Sequence, residues 1–264
     1  MTRNGLLRAG LLCVLALSAA APLVLLVAAS VGRAWFFPAL LPTELGLESW
    51  RDAFAPDARL AGAAATSLVL ALGVGAVALG VAVPVGRALA GLAGWPRRLA
   101  AALVFLPVAV PPIALATGLQ VTLLRLGLGG TLVGVLLAHA VPAAGYATLY
   151  ALGVFTAYDR RLDEQARTLG APPLEVLRRV TLPVLRRPLL EIFALAALVS
   201  WAQVPLTLVI GGGTVRTLPV EVLAYVRAGQ DRWAATGALL LVLPALLALG
   251  PVVLGARRTE AVAL

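Results

Sequence analysis

The sequence predicts an all-α, polytopic membrane protein with six transmembrane helices, and three observations carry that prediction. The first is composition: of 264 residues, 61% are hydrophobic and only 12% charged, with a mean hydropathy of +0.98. A soluble domain of this length draws about 25% of its residues from the charged set to cover its surface. The second is the distribution of charge. Six stretches carry none at all, at residues 9–32, 60–86, 99–124, 126–158, 192–215 and 233–256. Each exceeds the roughly 20 residues that a membrane-spanning helix needs. The third is the arginine bias. With the N-terminus in the cytoplasm, 14 of the 21 arginines fall inside and 7 outside, while the acids divide six and six. Basic residues concentrate on the cytoplasmic side of membrane proteins, so both termini are expected there. The net charge of +9 follows from this bias and implies no nucleic-acid partner.

The first span is expected at about 9–31. Arg3 and Arg8 before an apolar run could imitate a secretion signal. The run is longer than the roughly 7–15 residues of a signal core, so it reads as a retained span. An outer loop, 32–59, follows. Its Trp35-Phe36-Phe37-Pro38 cluster suits the headgroup level. Glu44, Glu48, Asp52 and Asp57 bring it to water, as a solubilising linker or as a short amphipathic helix around Leu47–Phe54.

Span two, about 60–86, is rich in Ala and Gly, which let helices approach closely within a bilayer. Span three, about 99–124, is interrupted by Pro107, Pro111 and Pro112. Such prolines free backbone carbonyls, and they bend a helix beside a cavity or mark a packed kink. Span four, about 132–155, holds the sole histidine, His139. A proton relay would need partners, and the six charge-free runs contain no carboxylate, so an interhelical hydrogen bond is the expected role. Span five, about 189–210, carries Ser200, Gln203 and Thr207; with Thr117 and Gln120 of span three they are the candidate lining of a path. Gly211-Gly212-Gly213 lacks the Lys-Ser/Thr ending of a phosphate loop and reads as a turn. A surface helix is expected around Thr217–Tyr225, before span six at about 233–256. No linker, low-complexity tract or clear repeat divides the chain. Cys13 is the single cysteine, so neither an internal disulfide nor a cysteine metal cluster is expected.

The polar loop between spans four and five, residues 159–188, holds seven arginines and four acids. It reads as two short helices with a hinge. Asp159 suits an N-cap; Leu162, Ala166 and Leu169 share one face; Gly170 suits a left-handed C-terminal cap. Pro172 and Pro173 suit a new first turn, Glu175 can reach Arg178 or Arg179, and Leu182-Pro183 ends the second helix.

Within this loop, Glu164-Gln165-Ala166, then Gly170, then Val180-Thr181-Leu182-Pro183 resemble the EAA loop of ABC importer permeases. That pattern is Glu-Ala-Ala, three residues, Gly, nine residues, Ile-x-Leu-Pro. Gln165 and Val180 depart from it mildly. The resemblance implies a type I importer permease fold over residues 1–264 as a single transmembrane domain, with a core at about 60–250. It implies that the loop docks on a separate ATP-binding subunit dimer through Glu164, Gln165, Ala166, Gly170, Val180, Leu182 and Pro183, with Glu164 and Gly170 mattering most. It also implies a second permease subunit, identical or related, and an extracytoplasmic solute-binding protein, in a bacterial inner membrane. A looser likeness from Ser200 to Asp231 points to the permeases for polyamines, ferric iron, thiamine and related solutes, and the short chain leans toward polyamine or organophosphonate.

The chain itself carries no nucleotide-binding motif, so it is not expected to be an enzyme or to need a cofactor. The alternative, an ion-coupled secondary transporter, wants ionisable groups inside the membrane. The six charge-free runs hold none but His139.

Overall fold

The structure is a computed structural model. It describes residues 3–33, 35, 39, 41–55 and 58–262, with side chains only between residues 10 and 247. Phe36, Phe37 and Pro38 of the expected aromatic cluster lie outside the described residues. In chain order the helices are α1 (Arg3–Val31), α2 (Glu48–Ala53), α3 (Arg59–Gly91), α4 (Gly94–Ala109), α5 (Pro112–Arg125), α6 (Leu132–Ala157), α7 (Arg161–Thr168) and α8 (Pro173–Val176). A π turn (Leu177–Thr181) leads to α9 (Leu182–Val184), α10 (Arg186–Trp201), α11 (Pro205–Gly211), α12 (Leu218–Arg227) and α13 (Asp231–Val262). The all-α class holds. Among the described residues the one β contact is an isolated bridge between Gly32 and Leu45.

The six charge-free runs all fall on helices, but two of those spans are broken. Gly10–Val31 of α1, α3 and α6 are each long and apolar enough to cross a membrane. The pairs α4–α5 and α10–α11 qualify when each is taken as one span, bent by 94° and 62° respectively. The expected run 233–256 lies within α13. Both breaks have a local cause. Consecutive prolines hold Val110 extended, at φ −71° and ψ 134°, because a residue before proline avoids the helical region. Pro112 then opens α5, where its missing N–H costs nothing. Pro205 does the same for α11.

The chain forms two compact units. One comprises residues 66–216. Its first core is an alanine seam: Val74, Ala78 and Ala82 of α3, Ala143, Ala147 and Ala151 of α6, and Ile192 and Ala196 of α10. The four-residue spacing places each set on one helix face, and the small side chains bring the backbones together. A Cβ added at Gly86 would lie 2.6 Å from Ala151 Cβ, so α3 and α6 touch there. A second core joins Leu70, Ala116, Leu123, Val135, Ala138, Leu206 and Ile210, from α3, α5, α6 and α11.

The other unit comprises residues 1–65 and 217–264. In it, α2 forms over the stretch where a linker or a short amphipathic helix was open. Its buried Ser49 donates to the Ser30 carbonyl at 2.7 Å, and Trp50 Nε1 donates to Ser30 Oγ at 3.1 Å. Arg232 bonds Glu48 at 3.1 Å. The expected surface helix exists as α12, with one side buried through Leu218, Pro219 and Glu221, and Tyr225 stacks on Trp233.

Candidate functional site

The polar loop folds as a helix, a left-handed turn and a second helical stretch. Asp159 Oδ1 accepts from the Arg161 N–H at 3.0 Å, so the aspartate caps α7 from one position earlier than expected, with Arg160 as the N-cap residue. At the other end Gly170 has φ +88°. Its N–H donates to the Arg167 carbonyl at 2.9 Å, and the Ala171 N–H donates to the Ala166 carbonyl at 3.1 Å. That pair of bonds is the Schellman closure of a helix C-terminus, and it requires a residue at ease with positive φ. Pro172 and Pro173 stand at the N-cap and first position of α8, and Arg179 pairs with Glu175 at 3.1 Å.

One expectation is corrected. Leu182-Pro183 does not end the second helix. The chain passes through the π turn and α9 almost directly into α10. Pro183 has no N–H to offer the preceding turn, and a widened turn is a way to absorb that gap without breaking the helix.

Asp163 was not singled out by sequence reasoning, yet it is the best-connected side chain of the loop. It is 5% exposed. Arg87 Nη2 of α3 donates to its Oδ2 at 2.5 Å. Tyr158, the C-cap residue of α6, donates to Oδ1 at 2.8 Å, and Thr181, fully buried, donates to the same oxygen at 3.0 Å. Burial and then the bond to Asp163 raise the Tyr158 phenol above its ordinary value, which keeps it a donor. The available signal was an acid one residue from Glu164 with an arginine at the end of span two. Nothing in the spacing says which of four acids the arginine meets.

The neighbouring residues face the other way. Glu164 and Gln165 are exposed, Ala166 is half-buried, and the Glu164 carboxylate has no hydrogen bond or ion pair among the described residues. Gly170 and Pro183 are exposed, while Val180 and Leu182 are half-buried. The apolar face expected from Leu162, Ala166 and Leu169 is left largely uncovered by the chain, with Leu169 88% exposed.

The two broken spans meet in a cleft of about 250 Å³. Pro107, Val108 and Pro112 line it from the first break, Pro142 and Tyr146 from α6, and Ala202, Gln203 and Leu206 from the second break. Of the candidate path residues, Gln203 is on this wall. Ser200 and Thr207 are buried, at 4% and 1% exposure, and hydrogen-bond His139 instead. Thr117 is exposed and donates to the Ala114 carbonyl, and Gln120 Nε2 donates to the Val209 carbonyl at 3.3 Å. His139 has the interhelical role expected of it. Thr207 Oγ1 donates onward to the Gln203 carbonyl at 3.3 Å, so the neutral ring donates from Nε2 to Thr207 and accepts at Nδ1 from Ser200.

The fold and the loop define a membrane-embedded permease subunit, and comparison with known proteins agrees. The family model described as "binding-protein-dependent transport system inner membrane component" matches residues 82–258. A probable molybdenum ABC transporter permease protein of Haloferax volcanii is 32% identical over 182 residues, covering 64% of this chain and 66% of the relative. The spermidine/putrescine transport system permease protein PotC of Haemophilus influenzae is 23% identical over 133 residues, covering 50% of this chain and 52% of the relative. The chain thus spans about half to two thirds of these relatives' lengths. The crystal structure of a bacterial ABC transporter involved in the import of the acidic polysaccharide alginate superimposes with a TM-score of 0.74 at 18% identity. It covers 97% of this chain and 98% of that one. This chain belongs to the binding-protein-dependent transport system inner membrane component family, the permeases of ABC importers.

Proposed function

We propose that the chain forms half of a solute path through the inner membrane, driven by ATP hydrolysis in a separate subunit. Family membership supports this, and so does the loop. The carrying observation is the surface of α7: the Schellman turn at Gly170 closes a short helix that exposes an unpaired Glu164 on one side and leaves Leu162 and Leu169 uncovered on the other. A short helix that exposes an unpaired acid on one side and apolar side chains on the other suits insertion into a protein groove. In this reading residues 159–188 lie in the cytoplasm, as do both termini. Glu164, Gln165, Ala166, Gly170, Val180, Leu182 and Pro183 form or shape the contact with a dimer of ATP-binding subunits. A second permease chain completes the path, and an extracytoplasmic solute-binding protein delivers cargo. Closure of the ATPase dimer rocks the spans between two openings.

Gln203, on the cleft wall between the two breaks, is the first candidate for meeting solute. The cargo is a small polar solute. The compounds named for two relatives, molybdenum and spermidine/putrescine, are the first to try, with organophosphonate, thiamine and ferric iron next. The test is to purify the chain with its native partners and screen these solutes, with the binding protein present, for stimulated ATP hydrolysis. Stimulation by one class supports the reading and names the cargo. Failure of any ATP-hydrolysing subunit to co-purify counts against it.

A further inference from the structure

Asp163 and Glu164 are adjacent on α7, and successive helical residues point about 100° apart. Glu164 faces out of the chain and Asp163 faces in. The inward carboxylate collects a donor from each of three places: Arg87 near the end of α3 at 2.5 Å, Tyr158 at the end of α6 at 2.8 Å, and Thr181 at the approach to α10 at 3.0 Å. We propose that Asp163 is a positioning residue that transmits displacement of the polar loop to α3, α6 and α10 together. This rests on the ATPase-coupled reading above.

Both ends of α7 are closed by groups other than Asp163. Asp159 closes the start of α7 and the Gly170 turn closes its end. What the carboxylate adds is attachment to the spans. The bonds to a charged acceptor are stronger than neutral ones, and the Arg87 pair is mostly shielded from water, with Asp163 at 6% and Arg87 at 33% side-chain exposure. Beyond Arg87 the push is not absorbed by soft packing. Gly86 brings α3 against Ala151 of α6, and the alanine seam continues from there. A close-packed seam transmits displacement as a body.

The test uses the full chain assembled with its ATP-binding subunits and binding protein in vesicles, reading ATP hydrolysed per solute imported. Asp163→Ala and Arg87→Ala should raise that ratio about twofold to thirtyfold, the range over which single residues in such networks alter coupling. Co-purification of the ATP-binding subunit should stay near the level of the unaltered chain. Arg87→Lys, which keeps the charge, should recover most of the coupling. If Asp163→Ala fails to assemble, Asp163→Asn and Tyr158→Phe read the same ratio at smaller perturbation. A purely structural role predicts fewer complexes in the membrane with the ratio of the survivors unchanged, and that result overturns the proposal. Uptake by the unaltered chain without ATP consumption overturns the coupled reading itself, and it is seen before any substitution is made.

Discussion

His139 Nε2 lies 2.9 Å from Thr207 Oγ1 of α11, while Nδ1 of the same ring lies 2.9 Å from Ser200 Oγ of α10. One imidazole on α6 therefore bridges both arms of a span bent by 62°. The free groups at the break are tied in as well, since Thr207 donates to the Gln203 carbonyl. His139→Leu should leave both hydroxyls without that partner. Hydrogen bonds between membrane helices contribute about 0.6 kcal/mol each, up to about 1.7. The expected loss of about 1–3 kcal/mol should lower the Tm in detergent by several degrees. His139→Gln, which keeps a donor and an acceptor, should lose less. A Tm unchanged by His139→Leu would contradict the bridging role.

Gly170 sits at φ +88° with no atom within 4 Å of where a Cβ would be. The cost of Gly170→Ala is therefore one of backbone conformation, about 1–2 kcal/mol for a left-handed residue. The Schellman bonds should loosen and ATP-driven uptake should fall, with membrane insertion unchanged. Gly170→Asn should be milder, because Asn tolerates this region. Uptake by Gly170→Ala equal to that of the unaltered chain would show that the turn is not needed.

Glu164→Lys reverses the charge of an exposed, unpaired side chain. It should cost the chain itself little, since exposed substitutions usually move stability by less than about 0.5 kcal/mol. It should sharply reduce the yield of co-purified ATP-binding subunit. Normal yield together with intact uptake would remove Glu164 from the contact.

How much of this was legible in the sequence differs by physical cause. Charge-free runs mark spans directly, because the bilayer excludes charge. The cap at Gly170 and the start at Pro173 were readable because φ demands are local. The breaks at Pro111-Pro112 and Pro205 were half readable: proline marks where a helix bends and says nothing of the angle, and 94° depends on what packs around it. Asp163 was not readable. Its three donors lie 5, 18 and 76 residues away in sequence, and it takes the turn at Gly170 and the packing of α3 on α6 to bring them together. For the same reason the hydrogen bonds that Ser200 and Thr207 make to His139 could not be read from their spacing.

Gln203 is the candidate path residue that does line the cleft. Gln203→Leu removes its donor and acceptor while keeping a similar volume, so complex yield and unstimulated ATP hydrolysis should hold. Solute-stimulated uptake should fall about tenfold, the scale of one lost hydrogen bond in a buried site. Unaltered uptake would place the path elsewhere.

The most direct measurement is uptake by vesicles that hold the purified chain and its permease partner, with the ATP-binding subunits either supplied or omitted. Uptake only when those subunits and ATP are present is the result expected of a membrane half that takes its drive from the α7 face. Uptake at the same rate without them, following an ion gradient instead, would contradict that account.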